Sequence, residues 1–91
     1  MADYTFTKDP EAVLDYHFDW SAWLSDGETI SSSTFESTAG ITIDSNTTTA
    51  TVATVWLSGG IRGRLYEITN HIVTNQGRED DRSITIRVKD R

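Results

Sequence analysis

From Leu14 to Trp20 every second residue is large and apolar: Leu14, Tyr16, Phe18 and Trp20 alternate with Asp15, His17 and Asp19. A period of two puts the four apolar groups on one face of a strand and the polar ones on the other, whereas a helix would scatter them around its circumference. The same rule holds from Leu65 to Thr74. There Tyr66, Ile68, Asn70 and Ile72 share a face opposite Glu67, Thr69 and His71, with Leu65 and Val73 near the ends of the polar side. It holds again from Ser83 to Lys89, where Ile84, Ile86 and Val88 point one way and Thr85, Arg87 and Lys89 the other. Strands that each bury one face need a second layer to bury it against.

Weaker strand signals fill the intervals. Thr5–Thr7, around Phe6, starts an edge strand that Asp9-Pro10 ends, because proline donates nothing to a ladder. Thr29–Glu36 is strand-like, but Ile30 and Phe35 differ in parity, so a bulge within Ser31–Ser33 is expected. Ile41 and Ile43 alternate with Thr42 and Asp44 after Gly40. Thr49–Leu57 ends in Val55-Trp56-Leu57, a run expected to be buried on both sides or to turn a sheet corner, with Trp56 in the core. Turn signals fall at Asp26-Gly27, Ala39-Gly40, Ser45-Asn46, Ser58-Gly59-Gly60 and Asn75-Gln76-Gly77. Serine and threonine make up about a quarter of the chain, and good helix formers are few. The pattern predicts an all-β fold: an immunoglobulin-like Greek-key β-sandwich of about seven antiparallel strands, with a small barrel as the alternative. Tyr66, just after a glycine-bearing turn and opening a long strand, stands where the tyrosine corner of such sandwiches sits.

With 91 residues, the expectation is one domain over residues 1–91, large enough for one core without a deep cleft. Eight Lys and Arg against fourteen Asp and Glu leave a net charge of −6, which argues against a nucleic-acid partner. Without cysteine there are no disulfides, thiolate metal sites or cysteine nucleophiles. No apolar run approaches the ~20 residues of a membrane span, and the first ten residues carry no signal-peptide core. The expectation is therefore a soluble chain made in the cytosol, with no membrane partner. The sequon Asn46-Thr47-Thr48 then reads as accidental.

Each chemistry-bearing group has a plain reading beside a functional one. His17 and His71 lie on polar strand faces near Asp15, Asp19 or Glu67, and could ligate a metal; their spacing fits no ligand motif, and the expectation is no metal and no cofactor. Ser58-Gly59-Gly60 lacks the G-x-S-x-G elbow, and Glu79-Asp80-Asp81 reads as a solvated charge run, so no catalytic residue is assigned. Trp20 continues an apolar face and belongs to the core. Trp23 is ambiguous between capping the sandwich and anchoring an interface, where tryptophan is enriched. In Gly77-Arg78-Glu79-Asp80-Asp81-Arg82 the arginines either make local ion pairs or clamp a partner's carboxylates. Trp23, Arg78, Asp80 and Arg82 are the candidate protein-interface residues. Arg87, Lys89 and Arg91 alternate on one edge while acids dominate the N-terminal half, a polarity suited to head-to-tail contacts between subunits.

Several strings resemble a family. Lys8-Asp9-Pro10, Leu14-Asp15-Tyr16, Asp19-Trp20-Ser21-Ala22-Trp23-Leu24 and Gly27-Glu28-Thr29-Ile30 are similar to the start of small tailed-phage fiber-tail adaptors. Val55-Trp56-Leu57-Ser58-Gly59-Gly60, Gly63, Tyr66-Glu67-Ile68-Thr69-Asn70, Gly77-Arg78, Asp80, Arg82-Ser83 and Ile86-Arg87-Val88 extend the likeness over about residues 7–91. The resemblance implies a small immunoglobulin-like virion component of the neck or tail, present in several copies and without enzymatic activity. Its implied partners are other neck, tail or fiber proteins and copies of itself in a symmetric assembly. No catalytic or cofactor residue carries over. The alternative class is a module that binds host carbohydrate through an exposed tryptophan, Trp23.

Overall fold

A computed structural model of the chain describes residues 2–89, with side chains from Thr5 onward; Arg91, one of the basic residues named above, lies outside the described residues. The chain forms β1 (Ala2–Lys8), β2 (Leu14–Asp19), β3 (Ile30–Ser37), β4 (Ile41–Thr48), β5 (Val52–Gly59), β6 (Leu65–Thr74) and β7 (Glu79–Val88). They form two sheets, ordered β1-β7-β6-β3 and β2-β5-β4. The immunoglobulin-like sandwich read from the alternation is the fold.

One pairing departs from the antiparallel expectation. β1 runs parallel to β7, Phe6 facing Ile86 and Lys8 facing Val88, while every other pair is antiparallel. The first strand has joined the sheet of the last one instead of pairing with β2. Asp9-Pro10 then carries the chain across to the other layer, where β2 begins.

The core lies between the layers. Tyr16, Phe18 and Trp20 from one sheet and its flank meet Tyr66, Ile68, Ile72, Ile84, Ile86 and Val88 from the other, with Ala53, Val55 and Leu57 of β5 fully inaccessible. Burying a side chain of this size is worth about 1.5–3 kcal/mol, so the alternating residues supply most of the driving force.

Two bulges reconcile sequence with register. In β3, Ile30 faces Thr74 and Ser32 faces Val73, so Ser31 is the extra residue, and its hydroxyl donates to the Val73 carbonyl. That bulge lets both Ile30 and Phe35 pack against the core, as their opposed parity requires. In β4, Ile43 faces Leu57 and Ser45 faces Trp56, leaving Asp44 over. This second bulge absorbs Ser45-Asn46 into the strand, so the expected turn there does not form. The chain reverses instead at Thr49, whose hydroxyl accepts from Val52 N–H.

Trp56 also departs from expectation. It is 38% exposed and lies on the outer face of the smaller sheet, because Val55 and Leu57 take both inward positions. A three-residue apolar run on a strand sends its middle member outward.

Tyr66 is a tyrosine corner. Its hydroxyl accepts the Ile61 N–H at 2.8 Å, five residues upstream. Its ring is packed between two glycines of positive φ: a Cβ on Gly40 would lie 2.9 Å from Tyr66 Cε1, and one on Gly60 would lie 2.7 Å from Val88 Cγ2. At the same end Lys8 is fully buried. Its ammonium donates to the carbonyls of Asp9 and Gly59, both at 2.8 Å, which ties the end of β1 to the end of β5 in the opposite sheet. Burial pushes the Lys8 ammonium below its ordinary pKa, opposed by the nearby charges of Asp9 and Asp44.

Candidate functional site

The polar and aromatic residues of the candidate site gather at the end of the sandwich where β2 and β6 finish and β7 begins. Trp20, one residue past β2, is completely inaccessible, and its indole N–H donates to Asn70 Oδ1 at 2.9 Å. Asn70 sits on the apolar face of β6, where an unpaired amide would be costly. Its amide donates to Ser33 Oγ (2.8 Å) and the Thr34 carbonyl (3.0 Å) of β3. One buried asparagine thus joins the β2 exit to β3 and β6.

The connection from Trp20 to Ile30 folds back on itself through Trp23 N–H and Leu24 N–H, both donating to the Trp20 carbonyl. It ends in a buried acid. The Glu28 side chain is inaccessible to solvent, and Arg78 of the β6–β7 turn meets it with a two-pronged contact, Nε to Oε2 (2.9 Å) and Nη2 to Oε1. The Thr74 hydroxyl donates to Oε2 (2.6 Å) and the Ser25 N–H to Oε1 (3.0 Å). These donors, Arg78 first, hold the Glu28 carboxyl down to about 2, against an ordinary value of 4.5. Arg78 Nη2 also donates to the Trp23 carbonyl, and its guanidinium lies 4.1 Å from the centre of the Trp23 ring.

A second arginine repeats the device. Arg82 is 4.1 Å from the Trp20 ring centre and donates to the Asp19 carbonyl at 2.9 Å. The two indoles meet edge to face, 5.4 Å apart. The Asp19 carboxyl is held below its usual value, foremost by the Ser21 backbone N–H. All four expected interface residues therefore lie at one end. Trp23 is half-buried, Arg78 has its fork closed by Glu28 of the same chain, Arg82 is turned onto Trp20, and Asp80 is exposed. The alternation pattern missed Glu28, Thr74 and Asn70 as members of this cluster. A polar residue at an apolar position of β6 was the available signal for the last two.

The histidines do not converge. His17 lies on the outer face of the smaller sheet, with Asp15 Oδ2 and Thr54 Oγ1 each 2.9 Å from its ring nitrogens. His71 lies on the outer face of the larger sheet against Asp81 and Glu79, not Glu67. Those two carboxylates, Asp81 foremost, raise its pKa above the ordinary 6.5. Among the described residues no group of three or more His, Asp or Glu is placed to hold a metal ion. The Ser58 hydroxyl donates to Asp44. A cavity of about 400 Å³ is lined by Phe6 of β1, His17, Phe18 and Asp19 of β2, and Arg82 and Ile84 of β7.

Comparison with known proteins adds the family. The sequence profile described as podophage GP4 fiber-tail adaptor protein gp77 matches residues 8–87. The chain belongs to this family. The match takes in Lys8, both site tryptophans, Glu28, Tyr66, Asn70, Arg78 and Arg82, so the whole buried network falls inside it. Among solved structures the chain is similar to the PKD domain from KIAA 1837 protein, determined in solution. The TM-score is 0.50 at 26% identity, over 99% of this chain and 82% of that one. No curated protein matches the chain.

Proposed function

We propose that the chain is a non-enzymatic structural component of the phage particle, a rigid β-sandwich that docks on a symmetric neck or tail assembly and anchors fibers there. The family match over residues 8–87 carries this reading. The fate of the reactive side chains supports it: Glu28, Arg78, Asn70 and Arg82 are spent on fixing the β2–β3 connection. The docking residues are Trp23, Arg78, Asp80 and Arg82, with Arg78 laid over Trp23, Arg82 over the neighbouring Trp20, and Asp80 presented to a partner. Many copies around a ring turn weak single contacts into firm attachment.

Imaging of intact particles carrying a tagged copy of the chain tests the placement. Density at the neck or tail is expected; label confined to the unassembled protein would overturn it. Asp80→Arg, at an exposed position, is expected to lower incorporation at unchanged melting temperature, and unaltered incorporation would remove Asp80 from the docking set.

A second reading is favoured by one observation. Trp56 is exposed at the centre of the smaller sheet's outer face, opposite Asp15 of β2 and Ser45 of β4. An indole among carboxylate and hydroxyl groups is a stacking platform for a sugar ring, in place of the expected Trp23. Saturable quenching of tryptophan fluorescence by host glycans, lost in Trp56→Ala, is the outcome this reading requires.

A further inference from the structure

Two of the three tryptophans carry an arginine of the same chain. Arg82 lies over Trp20 and Arg78 over Trp23, each guanidinium 4.1 Å from the ring centre. The third, Trp56, is 38% exposed, and among the described residues no Lys or Arg lies over it. Its own sheet offers none: β2, β4 and β5 hold no Lys or Arg, and none occurs between Lys8 and Arg62. Carboxylates stand there instead. Asp15 of β2 is directly opposite Trp56, and Asp44, the bulge residue of β4, accepts from Ser58, two residues along the same face. Both acids are exposed. His17 engages Asp15 at Oδ2. Lys8, whose charge reaches Asp44, is itself buried and donates to two carbonyls.

Asp15 also lies on a sheet edge, since among the described residues β2 pairs with β5 alone. The Trp20 N–H donates to the Thr51 carbonyl, so by the alternation of an antiparallel ladder Phe18, Tyr16 and Leu14 bond toward β5. The backbone N–H and C=O groups of Asp15, His17 and Asp19 then point to the edge, where Arg82 meets the Asp19 carbonyl. The other edge strands, β1, β3 and β4, each carry a register shift, a device that discourages further pairing. The β2 ladder is regular throughout.

We propose that an extended, arginine-bearing segment of a different protein adds to β2 as the fourth strand of the smaller sheet and lays its arginine beside Asp15, over Trp56. A residue paired with Asp15 on the added strand projects from the same outer face. It stands two strand spacings, about 10 Å, from Trp56, within the combined reach of an arginine and an indole. A planar guanidinium stacks on the ring while its fork meets a carboxylate, as Arg78 already does with Trp23 and Glu28. Main-chain bonds supply affinity and the arginine supplies specificity. A second copy is the poorer occupant, because each copy carries a net charge of −6. A neutral sugar, the ligand of the second reading, would leave the carboxylates without a counter-charge. The inference goes beyond the adaptor reading, uses none of its four docking residues, and stands whether or not that reading does.

Calorimetric titration of the full chain with the peptide acetyl-Thr-Val-Arg-Val-Thr-amide tests it, at about 0.15 M salt, where exposed charges act over about 8 Å. Saturable binding is expected at up to ~5 mM peptide, weakened at least ~5-fold when lysine replaces the arginine and lost with citrulline. Trp56→Ala and Asp15→Asn are each expected to weaken binding about 5-fold. Slower exchange of the His17 amide proton in the bound chain reports the added strand. Absence of saturation overturns the proposal, as do equal binding of the lysine or citrulline peptide, binding unchanged by Trp56→Ala, and unchanged exchange at His17. A host glycan or a second copy that occupies Trp56 while the peptide stays unbound overturns it too. The peptide series on the unaltered chain decides the matter even if a variant folds poorly.

Discussion

The two ends of the sandwich are closed by different chemistry. One is held by shape and neutral or cation-to-carbonyl bonds: the Tyr66 phenol on Ile61, its ring against Gly40 and Gly60, and Lys8 on two carbonyls. The other is held by an ion pair whose acid is out of reach of water, with arginines laid over two indoles. Both solve the same problem, which is to fasten a connection between layers without a disulfide. They differ in what undoes them. The phenol end has no carboxylate at its centre, whereas the acidic end depends on Glu28 staying ionised. A small sandwich can thus have one end that loosens with acid and one that does not.

The strongest way to break the comparison is to remove the acid. Glu28→Ala strands the Arg78 fork, the Thr74 hydroxyl and the Ser25 N–H, and is expected to lower the melting temperature by on the order of 10 °C. A calorimetric loss of under about 2 °C would show that this end does not need the pair. Acid titration of the unaltered chain is expected to act in the same direction. Glu28 has its folded pKa pulled down to about 2 from 4.5, so its contribution is fully present above 4.5 and is lost as pH falls toward 2. Glu28→Gln should flatten that part of the stability curve; an unchanged acid limb would assign it to other carboxylates.

At the other end, Tyr66→Phe removes one buried hydrogen bond and is expected to cost about 1 kcal/mol, by an amount that stays constant across pH 2–5. An acid-dependent loss would erase the distinction between the ends. The smallest effect belongs to His71. Its pKa is raised by Asp81 and Glu79, so it stabilises fully below 6.5 and the benefit disappears as pH rises through the higher folded value. Because the pair is exposed, His71→Asn should move the melting temperature at pH 6 by only about a degree or two and less at pH 9.

The layered fold was legible because burial on one face imposes period two. β6 matches its expected bounds of Leu65–Thr74, and the opposed parity of Ile30 and Phe35 called for a bulge within Ser31–Ser33, which the structure has at Ser31. The β4–β5 hairpin was misjudged at Ser45-Asn46, because the threonine tract carries no glycine or proline to mark its turn, and a bulge at Asp44 let the strand run on. Trp56 was misjudged because size and apolarity say nothing about which of two faces is covered. The site was legible only as a grouping: Trp23, Arg78, Asp80 and Arg82 do share one end, but the partner of Arg78, fifty residues earlier in the chain, left no local mark.

By itself the sequence determined the strands, the layers and the tyrosine corner, since each follows from the spacing of neighbours along the chain. Only the tertiary structure decided that β1 lies parallel to β7, that Glu28 meets Arg78 and that Trp56 faces outward. Those outcomes depend on which strands become neighbours in space, and an alternating pattern is the same whichever partner a strand takes.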